Sequence, residues 1–276
     1  MTDIRQSKEY ADYLTKTGWI VERINGINYF IKKIPLIGSV LKIQRPNELR
    51  FREIKRLREK YRVFQIIIEP DLSCSGLTSH HPLITRGFKL SKSPYLPSKT
   101  LCLDLTKPLR FPKETKRCLR IGERSIIKEY SSPNEIKTFR NAWKKAVKFT
   151  RFVPPAEQLI NLRQSFPNNY TLFLASHNNI GRIIGGSIFT RSSHDSAYYW
   201  QAFTNKEGST SLSQYTLLHQ GILWAKKRGC KIFDFEGIYD SRFPNKSWLG
   251  FTRFKKSFGT HEVSYPGCYT KFRFPT

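Results

Sequence analysis

Residues 229–259, GCKIFDFEGIYDSRFPNKSWLGFTRFKKSFG, carry the pattern from which the fold is read. Gly229 follows an amphipathic stretch, 213–228, whose Leu217, Leu218, Ile222 and Ala225 recur at helical spacing, so it stands where a left-handed C-terminal cap is expected. The run 231–235 then reads as a buried strand, the glycine-bearing stretch after it as a loop, and 251–258 as a short basic helix. That order places Lys255 on a helix just beyond the end of a sheet strand. In open α/β sheets ligands bind in the crevice outside the carboxyl ends of the strands, so chemistry is expected here.

Working outward, 125–130 reads as a strand, and Ser132-Pro-Asn-Glu135 as a capping box opening a helix that runs to about residue 149. A second helix follows Pro154 and Pro155 and ends near 166. Three strands, 170–176, 182–190 and 197–203, form an antiparallel meander, the first two joined by the turn-rich His177-Asn178-Asn179-Ile180-Gly181. Strands at 262–265 and 269–274 end the chain. The order βααβββαβαββ resembles that of the GNAT acyltransferase fold.

The first half follows a shortened version of the same plan. A helix at 7–16 leads into a hairpin over 19–33, whose Asn25-Gly26 is a strong two-residue turn signal. A strand at 40–45, a basic helix at 47–61, a strand at 64–69, a long polar loop and a strand at 100–105 complete it. The expected fold is therefore α/β (α+β), with two GNAT-like modules, 1–110 and 111–276, each a mixed, mostly antiparallel sheet flanked by helices.

Lys and Arg number 48 against 21 Asp and Glu in 276 residues, a formal charge of +27. That excess implies a polyanionic partner: nucleic acid, anionic lipid or a phosphorylated substrate. Arg45, Arg50, Arg52, Lys55, Arg56, Arg58, Lys60 and Arg62 form one basic cluster and Lys137, Arg140, Lys144, Lys145 and Lys148 another. Charge runs on helices are usually solvated faces, but the acidic residues that balance such faces are scarce here, which favours tRNA or anionic membrane contact. Five widely spaced cysteines read as reduced thiols of a cytosolic protein. The N-terminus lacks an apolar leader pattern, and the greasiest stretch, 29–43, is broken by Lys32, Lys33, Pro35 and Gly38, so no membrane span is expected. His80-His81 has no second ligand pair nearby, and no metal site is expected.

An acyl-CoA enzyme of this fold needs a glycine-rich loop whose N–H groups cradle the pyrophosphate. The corresponding stretch in the second module, 205–211, has one glycine, and 44–47 in the first has none. An acyl-CoA donor is disfavoured, and no cofactor is expected.

Two GNAT-like modules, no CoA loop and a strongly basic chain resemble the FemABX family of peptidoglycan bridge peptidyltransferases. The most specific parts are FDFEGI at 233–238 and GFTRFKKSFG at 250–259, similar to the family's YDF-x-GI and G-x-x-x-FK-x-x-FG. Weaker echoes are KETKRCLR at 113–120 and the aromatic Tyr198-Tyr199-Trp200 followed by Tyr215. The resemblance implies transfer of an amino acid from aminoacyl-tRNA to the side-chain amine of a muramyl pentapeptide on a UDP or lipid carrier. Both substrates are polyanions, in keeping with the charge, and the donor is already an activated ester. The resemblance further implies that Lys255 is a cation facing the developing oxyanion, that the Phe254 carbonyl helps hold the attacking amine, and that Thr210, Tyr215, Trp19 and Lys16 meet the acceptor. Glu236 stands where family members often have Gly or Trp, and Phe233 replaces a Tyr. The implied location is cytoplasmic, with peripheral contact at an anionic membrane.

Other readings of the same residues stay open at this point. Lys255 is also readable as a solvated residue of a basic helix; Asp234 and Glu236, which strand alternation puts on one face, are readable as an acid/base pair, and more readily as a charge pair answering nearby lysines. Tyr198, Tyr199 and Trp200 suit a strand core at least as well as a stacking platform. Asp104, at a strand end, is readable as a base but suits a turn-forming carboxylate before Pro108 better. A CoA-dependent N-acyltransferase and a non-catalytic RNA- or membrane-binding module are the alternatives to aminoacyl transfer.

Overall fold

Asn25 and Gly26 turn the chain with φ of 50° and 82°, the doubly positive geometry that matches the twist of a two-residue hairpin. In the computed structural model, which describes residues 3–74, 81–149, 151–193 and 195–272, this turn joins the first two of thirteen strands. A 3-10 turn at Ile4–Gln6 precedes α1 (Lys8–Lys16), β1 (Ile20–Ile24), β2 (Ile27–Ile34), β3 (Gly38–Gln44), α2 (Phe51–Lys60) and β4 (Val63–Glu69). Then come α3 (His81–Ile84), β5 (Lys89–Leu90), β6 (Lys99–Asp104), α4 (Lys113–Gly122), β7 (Ile126–Glu129), α5 (Pro133–Ala146) and α6 (Ala156–Ser165). The chain continues through β8 (Thr171–His177), β9 (Ile183–Arg191), β10 (Ser196–Thr204), α7 (Lys206–Thr210), α8 (Ser213–Lys227) and β11 (Ile232–Gly237). It closes with a 3-10 turn at Lys246–Trp248, α9 (Leu249–Lys256), β12 (His261–Ser264) and β13 (Tyr269–Phe272).

Two compact units result, and both are discontinuous in sequence. One comprises Met1–Thr100, Gly237–Trp248 and Val263–Thr276; the other comprises Leu101–Glu236 and Leu249–Glu262. They differ from the contiguous modules 1–110 and 111–276 for a specific reason. The final strand, β13, pairs antiparallel with β4 through Tyr269↔Ile68 and Thr270↔Ile67, so the chain returns to its first sheet. The expected first-module strand near 100–105 also changes sides: β6 lies between β12 and β11 in the second sheet.

The first sheet has the order β1-β2-β3-β4-β13-β5. Alternate residues Tyr29 and Ile31 of β2, Leu41 and Ile43 of β3, and Ile66 and Ile68 of β4 share one core with Ile54 and Leu57 of α2 and with Tyr269. The period of two in the strands and of three in the helix is what puts them on one side. The basic helix expected from 47 starts at Phe51, and its charged residues do occupy the face away from this core.

The second sheet has the order β12-β6-β11-β10-β9-β8-β7. All seven residues of β8 are buried, as a strand covered on both faces requires. Phe139 of α5 meets Phe173 and Phe203 with ring centroids 5.7 and 5.2 Å apart. The Ser132–Glu135 capping box forms as expected, with the Glu135 carboxylate accepting from the Ser132 N–H at 2.8 Å. These backbone bonds pull Glu135 down to about 2. On the other face, Leu217, Leu218 and Ile222 of α8 are fully buried.

α8 approaches the sheet closely because Gly221 faces Phe189, where a Cβ would come within 2.2 Å of a ring carbon. Phe189 has no room to give, since its ring lies against those of Tyr199 and Phe233 at 5.6 and 6.1 Å. Alanine is the better helix former by about 1 kcal/mol, yet overpacking a filled core costs about 1–3 kcal/mol. Gly221→Ala is expected to destabilise the protein by about 1–2 kcal/mol in urea unfolding; a gain in stability would show that this contact is soft.

Candidate active site

The parallel ladder between β10 and β11 is short. Ser196, Ala197 and Tyr198 pair with Ile232, Phe233 and Asp234, after which the strands run on to Thr204 and Gly237 without a further ladder between them among the described residues. The carboxyl ends of these parallel strands thus separate at Tyr199 and Phe235. Lys255, on α9, brings its Nζ to this point. It lies 5.7 Å from the centroid of Tyr199 and 5.2 Å from that of Phe251.

Lys255 is 8% exposed. Burial pushes its ammonium down to about 8, against the opposing pull of the Glu236 and Asp234 carboxylates. At neutral pH the group remains mostly a cation, held by two aromatic faces and two nearby negative charges. Tyr199 is fixed in turn. Its hydroxyl donates to Gln214 Oε1 at 2.9 Å, the Ser187 hydroxyl donates to the same oxygen at 3.1 Å, and Gln214 Nε2 donates to the Phe203 carbonyl at 2.6 Å. Burial raises the Tyr199 phenol far above its ordinary range, so it stays protonated.

Asp234 and Glu236 are not a simple same-face pair. Glu236 has φ of 59°, a left-handed conformation in which a residue with a side chain costs about 1–3 kcal/mol. Its N–H donates to Asp234 Oδ1 at 2.6 Å. The position that often holds glycine in the resembled family is thus one whose backbone suits glycine. Here it carries a carboxylate whose field reaches Lys255.

Tyr215 and Phe254 meet directly, with rings edge to face at 4.9 Å, and both touch Phe258. Burial raises the Tyr215 phenol. The Phe254 carbonyl accepts from Ser257 twice, from Oγ at 2.7 Å and from the backbone N–H at 3.3 Å. Both of its lone pairs are engaged within the helix end. Thr210 is exposed and its hydroxyl donates to the Lys206 carbonyl at 3.1 Å. Lys16 is exposed at the end of α1.

Trp19 belongs to the first unit and sits among cations, 5.7 Å from Lys32 Nζ and 5.3 Å from Lys42 Nζ. Lys42 also lies 4.3 Å from the Tyr95 centroid, and burial lowers its ammonium. Tyr95, with Tyr239, Phe243 and Trp248, lines a cavity of about 400 Å³ that also presents Lys92 and Lys246. Its wall is braced by Asp240, which bridges Arg242 at 2.8 Å and the Ser98 hydroxyl at 2.6 Å. Burial pushes the Asp240 carboxyl up, but these bonds outweigh it and hold it at about 2.

Residues 205–211 form a capped helical turn in place of a loop. Asn205 Oδ1 accepts from the Gly208 N–H at 2.8 Å. A Cβ on Gly208 would stand 2.3 Å from the Ile184 carbonyl, so its lack of a side chain serves close packing and its N–H is already bonded. In the first unit Arg45 is only 4% exposed, its guanidinium 3.4 Å from the Tyr265 centroid, which removes it from the solvent-facing basic cluster. Asp104 accepts from the Thr106 N–H at 2.9 Å, a turn-forming role. Of the aromatic strand, Tyr198 and Tyr199 are buried and Trp200 is partly exposed. His80 lies outside the described residues, and among those described no three His, Cys, Asp or Glu side chains converge as metal ligands. No helix is long and apolar enough to cross a membrane among the described residues.

No family model and no curated protein matches the chain. Solved structures do match. A crystal structure of FemX superposes with a TM-score of 0.78 at 15% identity, covering 98% of this chain and 92% of that one. This chain has the FemX fold. L-PGS from Bacillus licheniformis follows at a TM-score of 0.62 and 11% identity, covering 96% of this chain and 87% of that one. A tandem GNAT protein from the clavulanic acid biosynthesis pathway reaches 0.51 at 11% identity over 91% of this chain and 84% of its own. The FemX fold here is accordingly built of two GNAT-like modules, as its element order suggests.

Within this FemX-fold chain, Lys255, Tyr215 and Phe254 come from one unit, and Trp19 and Lys16 from the other. Sequence reasoning missed Gln214, Phe251 and Lys42. Gln214 carries a signal: it is a polar residue on the otherwise apolar stripe of an amphipathic helix, in line with Leu217, Leu218, Gly221 and Ile222. Lys42 has no signal, being one more lysine among 48 basic residues.

The depressed Lys255 has a thermodynamic signature. Its folded value of about 8 lies below the ordinary 10.5, so the unfolded chain takes up the proton first and stability is lost as pH falls from about 10.5 to about 8, then levels. The full effect is about 3 kcal/mol. Urea unfolding of wild type and Lys255→Met should show the variant's relative stability rising by up to that amount as pH drops through this window. A pH-independent difference would place the amine in water.

Proposed function

We propose that the protein is an aminoacyltransferase that moves an amino acid such as Gly, Ala or Ser from aminoacyl-tRNA to the side-chain amine of the stem pentapeptide of a muramyl precursor on a lipid or UDP carrier. The observation that carries this reading is Lys255: a buried cation held by Tyr199 and Phe251 where β10 and β11 part. In ester aminolysis the amine nitrogen bonds to the carbonyl carbon and negative charge gathers on the former carbonyl oxygen. The C–O bond to the tRNA ribose then breaks, the ribose oxygen takes a proton, and the amine loses one. A fixed ammonium facing that oxygen, screened from water, stabilises the charge without reorganising at the moment of reaction. Loss of one such group costs about 3–4 kcal/mol, or roughly 10²–10³ in kcat.

Phe254 serves this reading through its ring, which seats Tyr215 and with it the start of α8. Its carbonyl is committed to Ser257 and is not assigned the attacking amine. Tyr215 stays an acceptor-binding candidate through its hydroxyl. In the first unit, Trp19, Lys42 and the aromatic cavity beside Tyr95 suit a flat base or sugar face joined to phosphate, and Lys16, exposed at the end of α1, stays a candidate for the same acceptor. The N–H of Gly208, the one glycine in 205–211, is already bonded to Asn205 and so is not offered to a CoA pyrophosphate, which favours an aminoacyl ester over acyl-CoA. Polyanionic donor and acceptor accord with the +27 charge. Thr210 is left as a surface residue in this reading.

The deciding assay uses purified protein, tRNA charged with radiolabelled Gly, Ala or Ser, and UDP- or lipid-linked muramyl pentapeptide. Label is expected on the pentapeptide. Lys255→Ala should lower kcat about 100- to 1,000-fold with little change in KM, as for a contact made mainly in the transition state. The wild-type rate should decline as pH rises through about 8, where Lys255 loses its proton. Failure of every donor with either acceptor, in protein that binds CoA, would overturn the reading. Tyr215→Phe should raise the acceptor KM at unchanged stability; an unaltered KM removes the hydroxyl from the site.

A further inference from the structure

β2 and β3 are joined through Pro35, Leu36 and Ile37. The Ile37 N–H donates to the Ile34 carbonyl at 3.3 Å, and Leu36 has φ of 65°. Proline at the second position and a positive φ at the third are the pattern of a type II turn, whose third position favours glycine or asparagine because a Cβ is crowded there. This turn holds leucine instead. The leucine gains nothing from folding, since its relative exposure is 108%, and Ile37 beside it is 59% exposed. Backbone strain and exposed apolar area both weigh against these residues in the isolated molecule, so what they favour lies outside it.

The charges around the tip indicate what that is. Lys33 pairs with Ser39 across the base of the hairpin, and the Ser39 N–H donates to the Arg62 carbonyl at 3.2 Å, which sets Arg62 beside the same base. Both basic residues are exposed. No Asp or Glu occurs from residue 23 to residue 47. Aliphatic side chains at a loop tip with cations one or two residues behind fit an anionic bilayer surface. The leucine and isoleucine enter the acyl boundary while lysine and arginine reach the phosphates. Nucleic acid meets the cations equally well, but offers two aliphatic side chains no stacking partner.

We infer that the β2–β3 tip, Leu36 with Ile37 backed by Lys33 and Arg62, docks the protein reversibly on anionic phospholipid. A single small tip gives marginal hydrophobic anchorage, so binding depends on anionic lipid and weakens with salt. The inference does not rest on the transferase reading, because docking is measured with no substrate present.

The test uses the full chain and vesicles of phosphatidylcholine with or without phosphatidylglycerol. Wild type is expected to sediment with the phosphatidylglycerol vesicles at low salt and to remain free of pure phosphatidylcholine. The variant Leu36→Asn with Ile37→Ser is expected to bind about tenfold more weakly, from the apolar area it no longer buries. Asparagine tolerates the left-handed conformation, so the same variant keeps or gains thermal stability, and a folding defect is not the cause. All five native cysteines are buried, which leaves Leu36→Cys open to selective labelling with an environment-sensitive fluorophore. Its emission should shift to the blue on phosphatidylglycerol vesicles and stay unchanged with tRNA. Undiminished vesicle binding by the double variant overturns the inference. So does a blue shift produced by tRNA, or by raising the protein concentration alone, which would make RNA or a second copy the occupant.

Discussion

Withdrawing an ammonium from water forfeits hydration that few contacts restore, and the second unit is arranged around one such group. Lys255 keeps its charge near neutral pH because two aromatic faces and two carboxylates stand close to it. The same surroundings settle other features of that unit. The parallel ladder stops where the lysine needs room. Glu236 holds a backbone conformation better suited to glycine, and Gln214 spends both ends of its amide on keeping Tyr199 still. Gly221 lets α8 lie close enough to Phe189 for that aromatic layer to stay filled.

Much of this was legible in the sequence. The Asn25-Gly26 turn, the Ser132–Glu135 cap and the Gly229 helix end are local devices whose chemistry is complete within a few residues, so they are read without knowing the fold. The position of Lys255 past a strand end was likewise visible from the order of elements. Pairing across long separations was not. β6 (KTLCLD) and β13 (YTKF) are short strands of mixed polarity that suit either sheet, and nothing local chooses between partners. The hydrogen bonds made by the Phe254 carbonyl and the Gly208 N–H were equally hidden, because a backbone group's partner depends on geometry that side-chain identity does not encode.

The basic residues divide by environment more than by sequence neighbourhood. Arg45 belongs by numbering to the cluster that includes Arg50 and Arg62, yet it is buried against Tyr265 with its guanidinium turned to the Pro70 and Pro97 carbonyls. Lys60 answers Glu22 at 2.6 Å. Lys42, by contrast, is drawn between Trp19 and Tyr95. A formal charge therefore overstates the surface field, and the residues that shape a ligand site are those whose hydration has been partly exchanged for aromatic contact.

The place of β13 bears on how the chain is made. During synthesis every other strand of both sheets leaves the ribosome before it, so β4 and β5 wait with open hydrogen-bonding edges while the whole second unit is translated. The first sheet cannot become continuous until residues 269–272 arrive and fit between them. The unit that holds the earliest of these strands is thus the one completed last. In that interval the β4 edge, flanked by Ile66, Ile67 and Ile68, is the segment most in need of protection from pairing with another nascent chain.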